Sequence, residues 1–579
     1  MKQFLRTYAF TVAVLAAVVV RLALGTGMPL CIHAAAGYDD AWAVRAADFI
    51  SQGQWLGPYD STTLIKNPGF PLFLAICKAL GIDYLLGVTL LSIAAALFFM
   101  WAVRPFFQRR WLFFLLLLVV LFCPVGFATD TFQRVYRNSI TAAQALIVFG
   151  GFLGMYLRCK GLRSADPLRV SDKPIWRTVN TTWLRLLPWS VIGGLGLAWF
   201  WVSREDSMWV APFVGVATLV MVVVLVRRRL RAEIPTPSAL AGVVLVVLPL
   251  VLTASTVGII SAVNHQHYGV SVTEEISTGN FSRMVRDLYA IQPDEEPLNQ
   301  RVACTHESLQ RAYGASPTLA GIRDQVENCF FEFGDAIDND PGDGEVNGGE
   351  FFWVLRRAAD QADLYASAQG ADAFYGKVAD ELEAAFASGQ LVQRATLPSS
   401  IMTPWRADFA SQLLPAFSQI FLQAIGYGDV TCRPFVAQGS AEGIAYFEHV
   451  TGNVGYKQGA PVPWGCTVGE AIIAVYRIAG PLLGVLGIVC AFVLLAWWAR
   501  CLRGGRAPKW LGPLVLCVFA LLLGACTLLA GLAYSRVSSF VPISYYYYAS
   551  AAYPLLLAFG GLSVMGMAEL FAGARRKGE

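Results

Sequence analysis

The chain is organised by blocks of about 20 apolar residues, the length that crosses a bilayer core as a helix. Ten such blocks fall at about 8–25, 84–102, 111–128, 139–157, 184–202, 208–226, 238–262, 470–498, 509–533 and 547–571. In hydrocarbon every backbone N–H and C=O must be satisfied within the segment, so each block is expected to be a helix. Charged residues are correspondingly scarce: they make up 15% of the chain against 56% hydrophobic, where a soluble domain carries about 25% charged. This excludes a soluble enzyme and a disordered chain. A net charge of +4 is no polyanion-binding field, so nucleic acid is not an expected partner, whereas membrane lipid is. The expected fold class is an all-α polytopic membrane protein with about ten transmembrane helices.

Basic residues set the orientation. Clusters at Arg104–Arg110, Arg158–Arg185, Arg227–Arg231, Arg503–Lys509 and Arg575–Lys577 all fall on one side when the spans alternate. That side is expected to be cytoplasmic, with both termini, and the membrane a plasma (inner) membrane. The first block is read as a span rather than a cleaved signal peptide, since its apolar core is long and Arg21 interrupts its end. Three units follow: a transmembrane module at 1–262 with a first outer loop at 27–83, an outer-face soluble domain at 263–469, and three C-terminal spans at 470–579. The outer domain looks mainly helical, with helical periodicity over 351–392. Its acidic loop, Asp335 to Glu350, lacks the Gly and Glu positions of an EF-hand and reads as a solvated turn-rich segment.

Of twelve cysteines, four lie in that domain. Cys304, Cys329, Cys432 and Cys466 are disulfide candidates in an oxidising compartment, paired in sequence order or otherwise. His265 and His267 follow the seventh span. Their i, i+2 spacing shares a face only in extended structure, so no metal is expected as a requirement, with these two the residues that would hold a divalent ion.

The first outer loop carries the chemistry-bearing pattern. Gly37-Tyr38-Asp39-Asp40 is followed by a short amphipathic stretch to about Gln52, then Gly53-Gln54-Trp55, then Lys66-Asn67-Pro68-Gly69-Phe70-Pro71. An acidic pair after the first span, a Gly-x-Trp segment and a Lys/Pro segment in this order resemble the GT-C superfamily of integral membrane glycosyltransferases. The nearest likeness is the branch of protein O-mannosyltransferases and aminoarabinose transferases of lipid A. Tyr548 to Pro554 is similar to a further segment of that family, with its arginine missing. Ile65 stands before the lysine where aminoarabinose transferases carry Glu.

The resemblance implies a sugar donor carried on a polyprenyl phosphate, because nucleotide sugars stay in the cytoplasm. The acceptor would be an envelope glycan, a glycolipid or a protein. Such a transfer needs a carboxylate as general base and cations for the leaving phosphate. Asp39 is the first choice for the base and Asp40 the second; one of them is expected to cap or orient the following helix. Lys66, Arg134, Arg137 and Arg204 are the candidate phosphate ligands. Arg134 and Arg137 would share a face at i, i+3 on a helix, unless they simply snorkel to the interface. Asp130, Tyr136, Glu205, Asp206 and Trp55 are candidate substrate-binding residues, and Arg204 with Glu205 could equally form a plain ion pair. The tyrosines 545–548 read as an interfacial aromatic belt. Two other classes stay open, a transporter or lipid flippase and a non-catalytic scaffold for envelope assembly. Transporters place ionisable groups at midspan in repeated halves, and neither feature is evident here.

Overall fold

The computed structural model describes residues 2–161, 182–334, 344–396, 399–400, 402–504, 508–539 and 545–578. Residues 335–343 of the acidic loop and the basic residues Arg163, Arg169, Lys173, Arg177 and Arg506 lie outside these, as do the side chains of Arg575, Arg576 and Lys577. In chain order the helices are α1 (Lys2–Thr26), α2 (Trp42–Ser51), α3 (Gly69–Ala79), α4 (Tyr84–Val103), α5 (Arg110–Leu121), α6 (Asn138–Cys159), α7 (Thr182–Trp201), α8 (Ala211–Leu230) and α9 (Thr236–Tyr268). Then come α10 (Gly279–Tyr289), α11 (His306–Ala315), α12 (Pro317–Ala320), α13 (Arg323–Gly334), α14 (Gly348–Gln361), α15 (Ala368–Ser388), α16 (Phe409–Gly426) and α17 (Ala441–Thr451). The last three are α18 (Trp464–Arg503), α19 (Leu511–Ser538) and α20 (Ala552–Gly578). Among the described residues β structure is limited to isolated bridges.

The protein is an all-helical, multi-pass membrane protein. Among the described residues, eight helical segments are long and apolar enough to cross a bilayer. They correspond to α1, α4, α6, α8, α9, α18, α19 and α20. The fifth expected span is α7, a 20-residue helix. The third is shorter than expected: α5 has 12 residues, because the chain meets Pro124, which cannot continue a helix and disfavours helical backbone before it. The tenth starts late, at Ala552, so the tyrosines 545–548 form turns rather than span.

Small residues let the spans approach closely, as membrane packing requires. A Cβ at Gly151 of α6 would meet the Cα of Gly193 on α7 at 2.5 Å, and one at Gly487 of α18 would meet the Cα of Gly560 on α20 at 2.6 Å. Residues of three of the five basic clusters make contacts at helix ends of the bundle. Arg158 donates to Ala102 O at 2.8 Å, Arg228 to Cys159 O at 2.8 Å, and Glu569 accepts from the Arg109 amide at 3.0 Å.

At the opposite end lie the first loop and the large segment between α9 and α18, which divides into two parts. Helices α10–α15 close around a core of their own that includes Phe281, Leu309, Phe330, Phe351 and Val378. The remainder returns to the bundle: α16 packs on α18 and α19, and α17 on α2 and α3. The four disulfide candidates are free thiols here, and no pair stands at disulfide distance. Cys304 and Cys329 are packed as apolar groups in the α10–α15 core. Cys432 and Cys466 flank Gln133, whose Nε2 donates to the first at 3.2 Å and whose Oε1 accepts from the second at 3.6 Å.

Candidate active site

The first loop is pinned where it leaves α1. Single bridges join Leu30 to Gly455, Cys31 to Arg134 and His33 to Gln438. A wide helical turn, Gly37–Ala41, then presents the two aspartates to different surroundings. The Asp40 side chain is 0% exposed and that of Asp39 37%. After α2, positive φ at Gly53 (77°), Trp55 (53°) and Gly57 (92°) reverses the chain. A Cβ on Gly57 would strike the Phe49 ring at 2.3 Å, so the reversal needs glycine there. Trp55 Nε1 donates to Asn264 Oδ1 at 2.7 Å and Tyr268 OH to Gly57 O at 2.8 Å. These contacts fasten the loop to the end of α9 and return Lys66 to the acidic pair.

Four ion pairs follow. Lys66 binds Asp39 and donates to Tyr38 O at 2.7 Å. Arg134 grips Asp40 with two hydrogen bonds, at 2.8 and 2.6 Å. Arg137 pairs with Glu205, whose other oxygen accepts from the Asn67 amide at 3.2 Å. Arg204 pairs with Asp206 and with Asn138. Tyr136 is buried among them, its ring centroid 4.7 Å from the Arg134 guanidinium and 5.8 Å from that of Arg137.

Arg134 and Arg137 are not on a helix, contrary to the i, i+3 expectation: α6 starts only at Asn138, and Arg134 is extended. Each takes its own carboxylate instead of sharing one anion. They are not snorkelling either, because both lie in this network. Arg137 Nε is buried and has no hydrogen-bond partner. Asp130 stands apart, accepting from Tyr546 OH. Trp55 packs in a separate apolar cluster with Ile50, Val270 and Val272. His265 and His267 are exposed at the end of α9, the first sharing a hydrogen bond with Ser271 Oγ at 3.2 Å. Among the described residues no three His, Cys, Asp or Glu side chains are grouped as a metal would need.

Electrostatics separates the two aspartates. Burial pushes Asp40 up to about 6 against the pull of Arg134. Burial acts upward on Asp39 too, but Lys66, Arg137 and Arg134 together outweigh it and hold this carboxyl below its usual range. Asp39 is thus ionised, partly open and beside three cations, whereas Asp40 is sealed. The arrangement can take a proton at Asp39 and offset negative charge arriving next to it.

Three neighbours escape sequence reading and a fourth was read differently. Trp353 of α14 lies over the site, its ring centroid 5.5 Å from Lys66 Nζ and 4.5 Å from that of Tyr38. His33 lies near Arg134 and Asp39; burial, then Arg134, depress its pKa. Burial and the charge of Glu205 raise the Glu274 carboxyl to about 8. The tyrosine run is not a lipid belt: Tyr546 holds Asp130, Tyr547 lies 6.4 Å from Tyr136, and Tyr548 faces Arg204 at 5.6 Å. Four tyrosines in a row at a span start were the one available signal for this wall.

No family model matches the chain, and no curated protein matches it. Two solved structures do. ArnT from Cupriavidus metallidurans bound to undecaprenyl phosphate is 13% identical, with 90% of this chain and 78% of that chain covered and a TM-score of 0.28. The apo structure of the same protein is 11% identical, with coverage of 92% and 78% and a TM-score of 0.29.

Proposed function

We propose that the chain is an inverting GT-C-type glycosyltransferase. It moves a hexosyl or pentosyl unit from a polyprenyl-phosphate donor to an envelope glycan, a glycolipid or a protein at the outer face of a plasma membrane. The observation that carries this reading is Asp39, a partly open ionised carboxylate held by Lys66 at the end of the bundle away from the basic clusters. In the proposed step the acceptor hydroxyl oxygen attacks the anomeric carbon and its proton passes to Asp39. The bond from that carbon to the phosphate oxygen breaks, and the lipid phosphate leaves with the electron pair. Lys66 and the arginines of the ion-pair network offset its charge, with Arg137 Nε a free donor from the outset. The reaction as proposed requires no metal. Asp40 with Arg134 orients the turn that carries Asp39.

The test is release of free polyprenyl phosphate from a panel of polyprenyl-phosphate monosaccharides, by the full chain in lipid with an envelope extract as acceptor. One donor should be consumed by wild type and not by Asp39→Asn. Equal consumption by both would overturn the assignment of the base. Consumption of none would favour a transporter or a scaffold.

A further inference from the structure

Two features of the sequence fit poorly with a soluble domain followed by a plain span. From Phe409 to Gly428 the chain has no charged residue, although it lies within the segment expected to be soluble. Arg477, conversely, sits inside the eighth apolar block. The structure joins them. α16 starts at the end of α19, where Trp405 stacks on Tyr534 at 6.1 Å between ring centroids and Phe409 lies 6.0 Å from the same ring. It then runs down the bundle to Gly480 of α18, where a Cβ would meet Ile425 O at 2.5 Å.

That point is deep. α18 begins beside the end of α1, since a Cβ on Gly465 would meet Gly27 O at 2.5 Å. From Trp464 to Gly480 the helix advances about 24 Å at 1.5 Å per residue. Within about 30 Å of hydrocarbon this is far from the end of the bundle that carries the loops. There the chain turns: Tyr427 takes a positive φ of 53°, and its carbonyl leaves the helical pattern.

Irregular backbone at membrane depth persists only where its polar groups are satisfied by protein. Arg477 does this. Its Nε donates to Tyr427 O at 3.3 Å and its Nη2 to Val430 O at 2.8 Å. Tyr476 and Tyr553 close the turn, their ring centroids 5.7 and 5.1 Å from that of Tyr427.

We infer that α16 and the turn after it form a re-entrant membrane element, and that the open face of α16 is covered by bilayer lipid. One side of the helix is buried through Phe409, Ala416, Ile420 and Ala424, while Leu414 is 71% and Leu422 62% exposed. The open stripe between those leucines, Pro415, Ser418 and Gln419, is uncharged. It is continuous with the exposed apolar faces of α18 and α19, on which Ile478 is 71%, Leu482 59% and Leu523 62% exposed. The groove between α16, α18 and α20 is lined by Phe421, Ile425, Leu483, Gly484, Leu557 and Phe559, a hydrocarbon surface. Lipid is the occupant that meets all three faces at once. The returning segment then carries this anchorage to the ion-pair region. Thr129 Oγ1 donates to Arg433 O at 2.8 Å, and the Ala34 amide to Gln438 O at 2.8 Å.

The test places a diazirine-bearing leucine analogue at 414 or 422 of the full chain in phosphatidylcholine nanodiscs. The same residue at Leu298, fully exposed on the α10–α15 part, serves as the aqueous reference. Photolysis should give phosphatidylcholine adducts at 414 and 422 and water insertion at 298. Water insertion at 414 and 422 would overturn the inference, and so would crosslinks there to a second copy of the chain. Amide exchange of the wild-type chain in nanodiscs is a label-free arm. The exposed positions of 409–426 should exchange at least tenfold more slowly than the exposed positions of α15, and equal rates would overturn the inference.

Discussion

Two regions of this protein bury arginine against carboxylate among tyrosines, yet they differ in what is left open. In the α10–α15 part, Arg356 pairs with Glu275, with side chains 0% and 4% exposed. Two of its nitrogens donate to Ser61 O, at 2.9 and 2.6 Å. Its guanidinium lies 4.7 Å from the Tyr365 ring and 5.2 Å from that of Phe281. Each of its three nitrogens has a partner, and both members of the pair are buried. In the ion-pair network at the end of the bundle, Lys66 is as buried, at 5%, but its partner Asp39 is 37% exposed, and Arg137 keeps an unpartnered nitrogen. Burying a charge pair is costly in either place. Where the pair is saturated the outcome is a bolt between loop and domain, and where one member stays open it is a site that can exchange partners.

The largest expected effect separates the two functions. Asp39→Asn should lower transfer by about 10²- to 10⁴-fold, the usual reach of general base catalysis. The fold should survive, because Lys66 keeps its bond to Tyr38 O. Turnover is read as free polyprenyl phosphate and folding as the thermal midpoint in lipid. The mirror experiment is Arg356→Met, which strands Glu275 as a buried charge. It should cost about 3–5 kcal/mol of stability, seen as a lower thermal midpoint, and Glu275→Gln in the same chain should restore much of it. If Asp39→Asn unfolds the protein while Arg356→Met is silent, the contrast between the regions is wrong.

How much of this was legible beforehand follows from the kind of signal each part carries. The spans were visible because hydrocarbon demands unbroken apolar helices, and the same rule explains the miss at α5, where Pro124 outweighs an apolar run. The acidic pair and the lysine were found through local order in one loop. Their partners were only partly legible. Arg134 and Arg137 were singled out, but for a helix that starts just after them. Trp353 lies 287 positions from Lys66 and Glu274 69 positions from Glu205, and no local pattern announces either approach. The tyrosines 545–548 were seen and misread, because an interfacial belt and the wall of an ion-pair cluster have the same composition. α16 was hidden by its setting, since a charge-free helix inside a long polar segment reads as part of that segment.

Smaller effects sharpen the contrast. Arg137→Lys keeps a charge for Glu205 but removes the planar fork and the spare Nε. Donor affinity should weaken about tenfold with little change in thermal midpoint, as expected where a fork is exchanged for a point charge. A matching fall in midpoint would make Arg137 a second Arg356. Glu274 gives a pH readout. Its carboxyl is raised to about 8 in the folded protein, above the unfolded value. Its contribution to stability is therefore complete at low pH and is lost as pH rises through about 8, at no more than about 1.4 kcal/mol per unit. The thermal midpoint should fall from pH 7 to 9, and Glu274→Gln, neutral throughout, should flatten that fall.

The mildest case is Trp55, which the sequence offers as a substrate ligand and the geometry as a fastener. Its Nε1 donates to Asn264, and Asn264 in turn donates to Val272 O at 2.7 Å. One side chain thereby ties the first loop to the start of the α10–α15 part. Trp55→Phe keeps the aromatic packing and removes one hydrogen bond, which costs about 1 kcal/mol. If Trp55 only fastens, the thermal midpoint drops slightly, kcat holds, and KM for donor and acceptor is unchanged. If Trp55 touches sugar, KM for one substrate rises while the midpoint barely moves. Because Trp55 lies in the loop between Asp40 and Ser61, that split decides to which of the two regions the first loop's turn belongs.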